Sequence, residues 1–393
     1  MRSTRNPPLS DIVAVSAVRT PMGKFGGTLK GTPVYDIGAA AIRGCLARLN
    51  LDGSSIQDTI IGCCRHTGNG TNPARTALLQ AQLPPSASAT TITMACASGM
   101  RAVILGIQAI LAGEADVVLA GGMESMSTIP HLLLANRWQG LHQGHKTMVD
   151  GWFDSRDPIL HHKMPGVIME DYLRKLGISR KKQDDYAYQS LRRTQKAEHD
   201  GDFQDEIVPV GSFLKDETIR AEASRAKLSE LPSIFVEDGS VTAGNASLFS
   251  DGAAMLVLTT RQKAKSLGAS PLFSFVSFAS GAVPNDLMGE GPSALLPLAL
   301  EKSKLSFNTI DFIEINEAFA GMVIANQERL NLDEEKLNVR GGGIALGHPV
   351  GASGARIVVS LYHILKHHDK EYGAASIGAV GGVCTAVIIK REA

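Results

Sequence analysis

The sequence predicts an α/β protein built from two similar βαβαβ halves, with a region of different character inserted between them. Three observations carry this reading: strand patterns alternate with helix patterns, three motifs recur in one order, and the composition changes between the copies. "DTIIG" at Asp58 and "DFIEI" at Asp311 begin 253 residues apart. "CASGMRAV" at Cys96 and "GASGARIV" at Gly351 begin 255 residues apart. "VVLAGG" ending at Gly122 and "SIGAVGG" ending at Gly382 lie 260 residues apart. Two copies at nearly one offset point to a duplicated domain rather than a solenoid.

The elements follow in order. "IVAVSAVRTP" is a run of β-branched and small apolar residues, hence a strand. "PVYDIGAAAIRGCLARLN" carries apolar residues at helical spacing and opens with proline, which fits a first helical turn. "TIIGCC" is a strand and "NPARTALLQAQL" a helix. "ATTITMA" is a strand that hands over at Cys96 to the amphipathic helix "SGMRAVILGIQAILAG", and "DVVLAGG" closes the unit as a strand. This order implies a mainly parallel sheet with helices on its faces. The expected division is an N-terminal half of residues 1–122 plus 251–269, an insertion of 123–250, and a C-terminal half of 270–393. The insertion is rich in His, Met and charge ("HHKMPG", "SRKKQDDYAYQS", "KDETIRAEASRAK") and holds both tryptophans, Trp138 and Trp152. It reads as loops and helices placed to contact a ligand.

The chain of 393 residues is 44% apolar and 20% charged, enough for a large core. Lys plus Arg equals Asp plus Glu, 39 against 39, so net charge directs it to neither nucleic acid nor a membrane surface. Five scattered cysteines without CxxC spacing argue against a disulfide framework and for a reducing, cytoplasmic compartment. Cys63 and Cys64 read as core filling. No apolar run is long enough for a membrane span. "MRSTRNPPLSD" has no apolar centre and is no secretory signal. No metal site is expected.

Cys96 stands where a strand meets a helix. Unpaired N–H groups and a partial positive charge there favour a thiolate. The dipole supplies about 0.3–1 kcal/mol, less than one pKa unit. Against a reference pKa of about 8.5 a base is still needed, and histidine is the natural one. His66, His142, His145, His199, His367 and His368 lie in polar or terminal stretches and read as solvated. His348 lies in "GGGIALGHPVGASGAR", a glycine-rich turn entering the helix that matches the Cys96 helix. In a duplicated α/β protein these helix N-termini can face one cleft. "GGGIALG" lacks GxGxxG spacing and an acidic partner, so it is no dinucleotide site.

"GGMESMS" (121–127), "SRKKQDDYA" (179–187), "VTAGNASLFSDGAAM" (241–255), "MGEGP" (288–292), "NEAFA" (316–320) and "GHPVGASGAR" (347–356) together make the chain resemble the thiolase family of acyl-CoA C-acyltransferases. The resemblance spans essentially the whole chain in order. It implies a five-layer α-β-α-β-α sandwich of two similar halves plus a loop domain, and a homodimer or homotetramer. It implies Claisen condensation of two acyl-CoA thioesters, or thiolysis of a 3-ketoacyl-CoA. Cys96 would carry the acyl group, His348 would activate the thiol, and Asn316 would hold a water in the enolate oxyanion hole. The Cys96 N–H would help form the other hole. Coenzyme A would enter as substrate rather than as a permanent cofactor. Ser247 would approach its pantetheine arm, Arg220 would lie near its adenine end with Ser224 on the same coenzyme-binding stretch, and Met288 and Phe319 would line the acyl pocket.

The chain departs from the family's closing Cys-x-Gly-Gly-Gly, reading "SIGAVGGVCTAV". Gly378 takes the place of the acid/base cysteine and Val380 that of the first triplet glycine, where positive φ would be costly. Cys384 reads as core. Some sterol-carrier-type thiolases place another cysteine in the Asn316 motif, but here that neighbour is Ala318. Met164 stands where short-chain members have histidine, and His161 or His162 would have to reach in. These departures leave a second expectation: an acyl-CoA hydrolase, or an acyltransferase with another acceptor, whose Claisen step is impaired.

Overall fold

The computed structural model describes all residues except 1–6, 135–137, 139, 141, 142, 223 and 393. His142 and the N-terminal "MRSTRN" therefore lie outside the described residues. The strands are β1 Ile12–Arg19, β2 Gly23–Lys24, β3 Asp58–Gly62, β4 Ser88–Ile92, β5 Val117–Ser125, β6 His131–Leu132, β7 Val149–Asp150, β8 Ser250–Thr260, β9 Phe273–Ala282, β10 Phe312–Ile315, β11 Tyr372–Gly378 and β12 Val383–Arg391. The helices used below are α1 Val34–Leu49, α2 Pro73–Gln80, α3 Ser98–Leu111, α4 Pro165–Leu176, α5 Arg180–His199, α6 Gly291–Ser303, α7 Ala320–Leu330 and α8 Val350–His367.

The N-terminal half orders its strands β4-β3-β5-β8-β1, and the C-terminal half β10-β11-β12-β9. A short antiparallel contact, Val13 with Ser274 and Ala14 with Phe273, joins the two into one hydrogen-bonded path. In each half the consecutive strands pair in parallel, β3 with β4 and β5, and β10 with β11. Strands β8 and β12 run antiparallel to them. Where the N-terminal half has β4, the C-terminal half has a single parallel bridge, Ile313 to Leu337. The duplication is therefore real, with one strand reduced to a bridge.

Three apolar clusters fill the spaces between layers. One packs α1 and α2 on the outer face of the N-terminal sheet, through Ile37, Ile42, Leu78 and Val257. One packs α6 and α7 on the outer face of the C-terminal sheet, through Leu296, Val323 and Ile388. The third places α3 and α8 between the two sheets, through Met100, Ile104, Ile357 and Leu361. That is the five-layer α-β-α-β-α arrangement. At about 25 cal/mol per Å² of apolar area removed from water, burying α3 and α8 on both sides favours folding strongly.

Residues 98–99 and 353–354, the Ser-Gly of the repeated motif, explain why α3 and α8 meet. A Cβ on Gly99 would lie 2.8 Å from the Ala355 nitrogen and the Gly351 oxygen, and one on Gly354 would lie 2.5 Å from the Met100 nitrogen. Only glycine lets two helix backbones touch this way. The contact draws the N-terminus of each helix toward the other.

Two sequence expectations need correction. The third motif pair is not in register. Ile61 pairs with Gly121 and Ile315 with Ser376, so the halves superimpose at an offset near 255, not 260. β5 runs on to Ser125, held against Asp251 of β8, whereas β11 stops at Gly378 and turns through Gly381 and Gly382, with φ of 81° and 77°. For the same reason Met123, Glu124 and Ser125 belong to the sheet rather than to the insertion.

The insertion is fastened to the first strand by a buried ion cluster. Arg19 Nε donates to Glu206 at 2.5 Å, and its two terminal nitrogens donate to Asp216 at 2.7 and 2.8 Å. Arg19 and Glu206 are fully buried. Arg19→Ala would strand two carboxylates in a dry site. The expected cost is about 3–5 kcal/mol, read as an earlier urea midpoint with the parent's folded-state circular dichroism.

Candidate active site

The site assembles from residues just beyond the carboxyl ends of parallel strands, where open α/β sheets place their ligands. After β3 come Cys64 and Arg65; after β4, Ala95 and Cys96; after β10, Asn316, Ala318 and Phe319; after β11, Ala379 and Val380. All but Asn316 line a cavity of about 220 Å³, together with His348, Gly378 and apolar side chains of the insertion.

Cys96 sits in a tight turn. Ala95 takes φ +48°, a left-handed conformation that costs a non-glycine residue about 1–2 kcal/mol. Ser98 secures it: its hydroxyl donates to the Ala95 carbonyl at 2.6 Å and accepts the Met94 N–H at 2.8 Å. The strained turn aims the thiol into the cavity, and the N–H groups of Cys96 and Val380 are directed at the sulfur. Cys96 retains some surface open to the cavity, yet its sulfur is enclosed by protein. Loss of water is the largest influence on it and pushes the thiol up to about 12; its own N–H, Arg65 and the Val380 N–H pull the other way. The helix terminus therefore does not produce a resting thiolate, in keeping with a dipole contribution below one pKa unit. Desolvation outweighs it.

His348 is buried, and burial first, then the Arg356 charge, bring its pKa down to about 3. Its orientation comes from the repeated serine. The Ser353 hydroxyl donates to the Pro349 carbonyl at 3.0 Å and lies 2.6 Å from His348 Nδ1. A hydroxyl has one proton, so Nδ1 is the donor to Ser353 and the lone pair resides on Nε2. Among the described residues Nε2 has no hydrogen-bond partner. The resting pair is a neutral thiol and a neutral imidazole whose basic nitrogen is available.

Two further groups complete the frame. The side-chain amide of Asn316 is fully buried, and neither its oxygen nor its nitrogen meets a partner among the described residues. Glu124, at the end of β5, accepts the N–H groups of Cys64 at 2.9 Å, Arg65 at 3.1 Å and Gly351 at 2.9 Å. One buried carboxylate thus binds the loop after β3 to the first turn of the His348 helix. Burial raises its pKa; the same three N–H groups oppose the shift.

Residues 12–262 match the description "Thiolase, N-terminal domain" and residues 269–391 match "Thiolase, C-terminal domain". The chain belongs to the thiolase family. It is 40% identical to a probable acetyl-CoA acyltransferase of Staphylococcus aureus (strain N315), over 98% of this chain and all of that one. A crystal structure of the Bacillus anthracis acetyl-CoA acetyltransferase superimposes with a TM-score of 0.94 at 39% identity, covering 98% of this thiolase and 99% of that chain. Human mitochondrial 3-ketoacyl-CoA thiolase gives a TM-score of 0.94 at 34% identity, covering 98% and 100%.

Of the residues singled out from sequence, Cys96, His348, Ser247, Met288 and Phe319 all line the cavity of this thiolase. Arg220 and Ser224 do not. Arg220 donates to the Ala243 carbonyl at 3.2 Å, and Ser224 caps a short helix by accepting the Lys227 N–H at 3.1 Å. Trp152 is in the wall, whereas Trp138 is 91% exposed. Met164 lines the cavity but His161 and His162 are exposed and outside it. His66, His145, His199, His367 and His368 are exposed. Cys384 is buried in β12 and donates to the Gly281 carbonyl at 3.6 Å, as core.

Val380 brings no backbone strain. Positive φ falls on Gly381 and Gly382 instead, so the N–H at 380 reaches the sulfur with an ordinary valine conformation. Gly378 is in the wall, and a Cβ there would meet the Met288 carbonyl at 3.0 Å and Met322 Cε at 3.1 Å. The wall has closed around the glycine.

Sequence reasoning missed Cys64, Arg65 and Glu124. Cys63 is core, as expected, but Cys64 is half-buried and lines the cavity. The usable signal was topological: Cys64 follows a parallel strand by two residues, as the Asn316 motif follows its counterpart.

Proposed function

We propose that this acyltransferase works through an acyl thioester on Cys96, with His348 Nε2 removing the thiol proton. The carrying observation is the shared cavity: a sulfur and an imidazole lone pair face one apolar space, and two N–H groups already point at the sulfur. Such donors hold the oxyanion that forms when a thioester carbonyl is attacked, and losing one typically costs about 10²–10³ in rate. Because the thiol is the resting form, attack and proton transfer to His348 proceed together. The buried amide of Asn316 fits the role of holding a water toward a second, enolate oxygen.

The substrate is an acyl-CoA thioester. Ser247 lies where a pantetheine arm would pass, and Met288, Phe319, Met164 and Trp152 make an apolar acyl pocket. Residues 123–250, less the strand ends at either side, act as the loop domain, and Arg220 and Ser224 meet the nucleotide end outside the cavity. A homodimer or homotetramer is supported by β4, which forms one edge of the sheet and could pair with a second copy. Among the described residues no helix is long and apolar enough to cross a membrane; we read the chain as cytoplasmic.

Gly378 favours a second reading. Glycine accepts no proton, so this wall position cannot serve a Claisen step, and the acyl-enzyme could instead be resolved by water or another acceptor. Incubation with a 3-ketoacyl-CoA and free CoA separates the two. Thiolysis to two shorter acyl-CoA products supports the C-acyltransferase. Acyl-CoA consumption with release of free acid and no carbon-carbon cleavage supports the hydrolase.

A further inference from the structure

We infer that Cys64 is the acid/base residue of carbon-carbon bond formation and cleavage in this chain, in place of the function Gly378 cannot perform. The inference rests on the acyl-transfer reading above and goes beyond it by assigning the second proton-transfer group.

Three observations converge. Among the described residues lining the cavity, the titratable groups besides Cys96 are Cys64, Arg65 and His348. Arginine does not give up its proton, and the acyl-transfer reading above assigns His348 to the Cys96 thiol. That leaves one group able to take a proton from a substrate carbon. Second, Cys64 follows the parallel strand β3 of one half as Ala318 follows the parallel strand β10 of the other. Both line the cavity, from opposite halves, so the pseudo-symmetry of the fold puts a sulfur into the substrate space rather than into the core. Third, the loop bearing Cys64 is fixed: its N–H and that of Arg65 are both held by Glu124, which also holds the His348 helix.

The electrostatics fit two sulfurs that share one negative charge. Burial, then Glu124, raise the Cys64 thiol, while Arg65 lowers it; a charge on Cys96 raises it again. Arg65 likewise favours the anion at Cys96. One cation thus faces two thiols that disfavour simultaneous ionisation. In the condensing direction, the Cys64 thiolate takes the proton from the α-carbon of the second acyl-CoA. The carbon's electron pair forms the new bond to the carbonyl of acyl-Cys96. The C–S bond breaks and its electron pair remains on the Cys96 sulfur. Cys64 now carries the proton, and the Cys96 sulfur takes back from His348 the proton that His348 removed during acylation, restoring the neutral pair. When Cys96 is next acylated, His348 again takes the thiol proton and the departing CoA thiolate takes the proton from Cys64, leaving Cys64 as the thiolate that begins the next condensation. Thiolysis runs the same steps in reverse, and no oxidant or further reactant enters.

The test compares the parent with Cys64→Ala and Cys64→Val, the first leaving the sulfur's space empty and the second filling it with a larger apolar side chain. Three quantities are read: the acyl adduct on Cys96 by mass spectrometry, thiolysis of a 3-ketoacyl-CoA, and deuterium uptake at the α-carbon of an acyl-CoA in D₂O. The expected result is a full adduct in both variants, with thiolysis and α-deuteration reduced by about 10²–10⁴-fold. Variants that cleave and deuterate at the parent's rate would overturn the inference. So would a parent that acylates Cys96 but neither cleaves nor exchanges, an outcome that leaves the acyl-transfer reading standing. Loss of the adduct together with thiolysis in both variants would give Cys64 a packing role and also overturn it. A parent that forms no adduct on Cys96 refutes the underlying reading instead.

Discussion

Cys96→Ala is expected to abolish acyl transfer, with thiolysis falling by about 10⁴-fold or more, the scale seen when a covalent nucleophile is deleted from a machinery that acts as a unit. The fold should survive. The strained turn is secured by Ser98 rather than by the thiol, and alanine fills the same space less one sulfur. Substrate should still bind, because the apolar wall and the N–H groups of residues 96 and 380 remain. Stopped-flow absorbance with a 3-ketoacyl-CoA measures the rate, and an unchanged melting temperature shows that chemistry rather than folding was lost. Residual activity near the parent's would mean that another group attacks the thioester.

His348→Asn should lower thiolysis by about 10²–10⁴-fold, the contribution of one placed base. The parent's pH profile follows from the burial of this residue. With a folded-state pKa of about 3, His348 is neutral from pH 5 to 8, so the acylation rate should show no inflection near 6.5. The stability sign follows. The unfolded chain takes up a proton on this histidine below about pH 6.5, whereas the folded one does not until about 3. Stability is therefore intact above 6.5 and lost as pH falls through that window, by about 3 kcal/mol at pH 4.5 from this residue. His348→Asn removes the linkage, so its urea midpoint should fall less steeply between pH 6.5 and 4.5 than the parent's. His363, also buried with its pKa lowered first by burial, keeps part of the acid sensitivity in both proteins.

Much of this is legible in the amino-acid sequence. The duplicated Ala-Ser-Gly-x-Arg motif announced two equivalent helices, and its glycines prove to be where those helices touch. Cys96 and His348 were readable because each stands at the entry to one of them. What the motif did not reveal is that the same serine does two jobs: Ser98 fixes the cysteine turn and Ser353 fixes the histidine tautomer. The need for a base beside Cys96 was readable from the weakness of the helix dipole, but the dryness that raises the thiol further was not, because a sequence exposes the helix terminus and not what encloses the sulfur. Cys64 escaped because two adjacent cysteines after an apolar strand look alike in sequence. Only the strand's pleat and its carboxyl end send one to the core and the other to the cavity. Glu124 escaped because its three N–H partners are brought together from separate segments at residues 64–65 and 351.

The central claim is that one sulfur, at residue 96, carries the acyl group. Brief reaction with an acyl-CoA, acid quench, proteolysis and mass spectrometric peptide mapping test it most directly. The account predicts a single acyl mass increment on the peptide containing Cys96, lost in Cys96→Ala and retained in Cys64→Ala. An increment on the Cys64 peptide instead, or turnover with no acylated peptide at all, would contradict it.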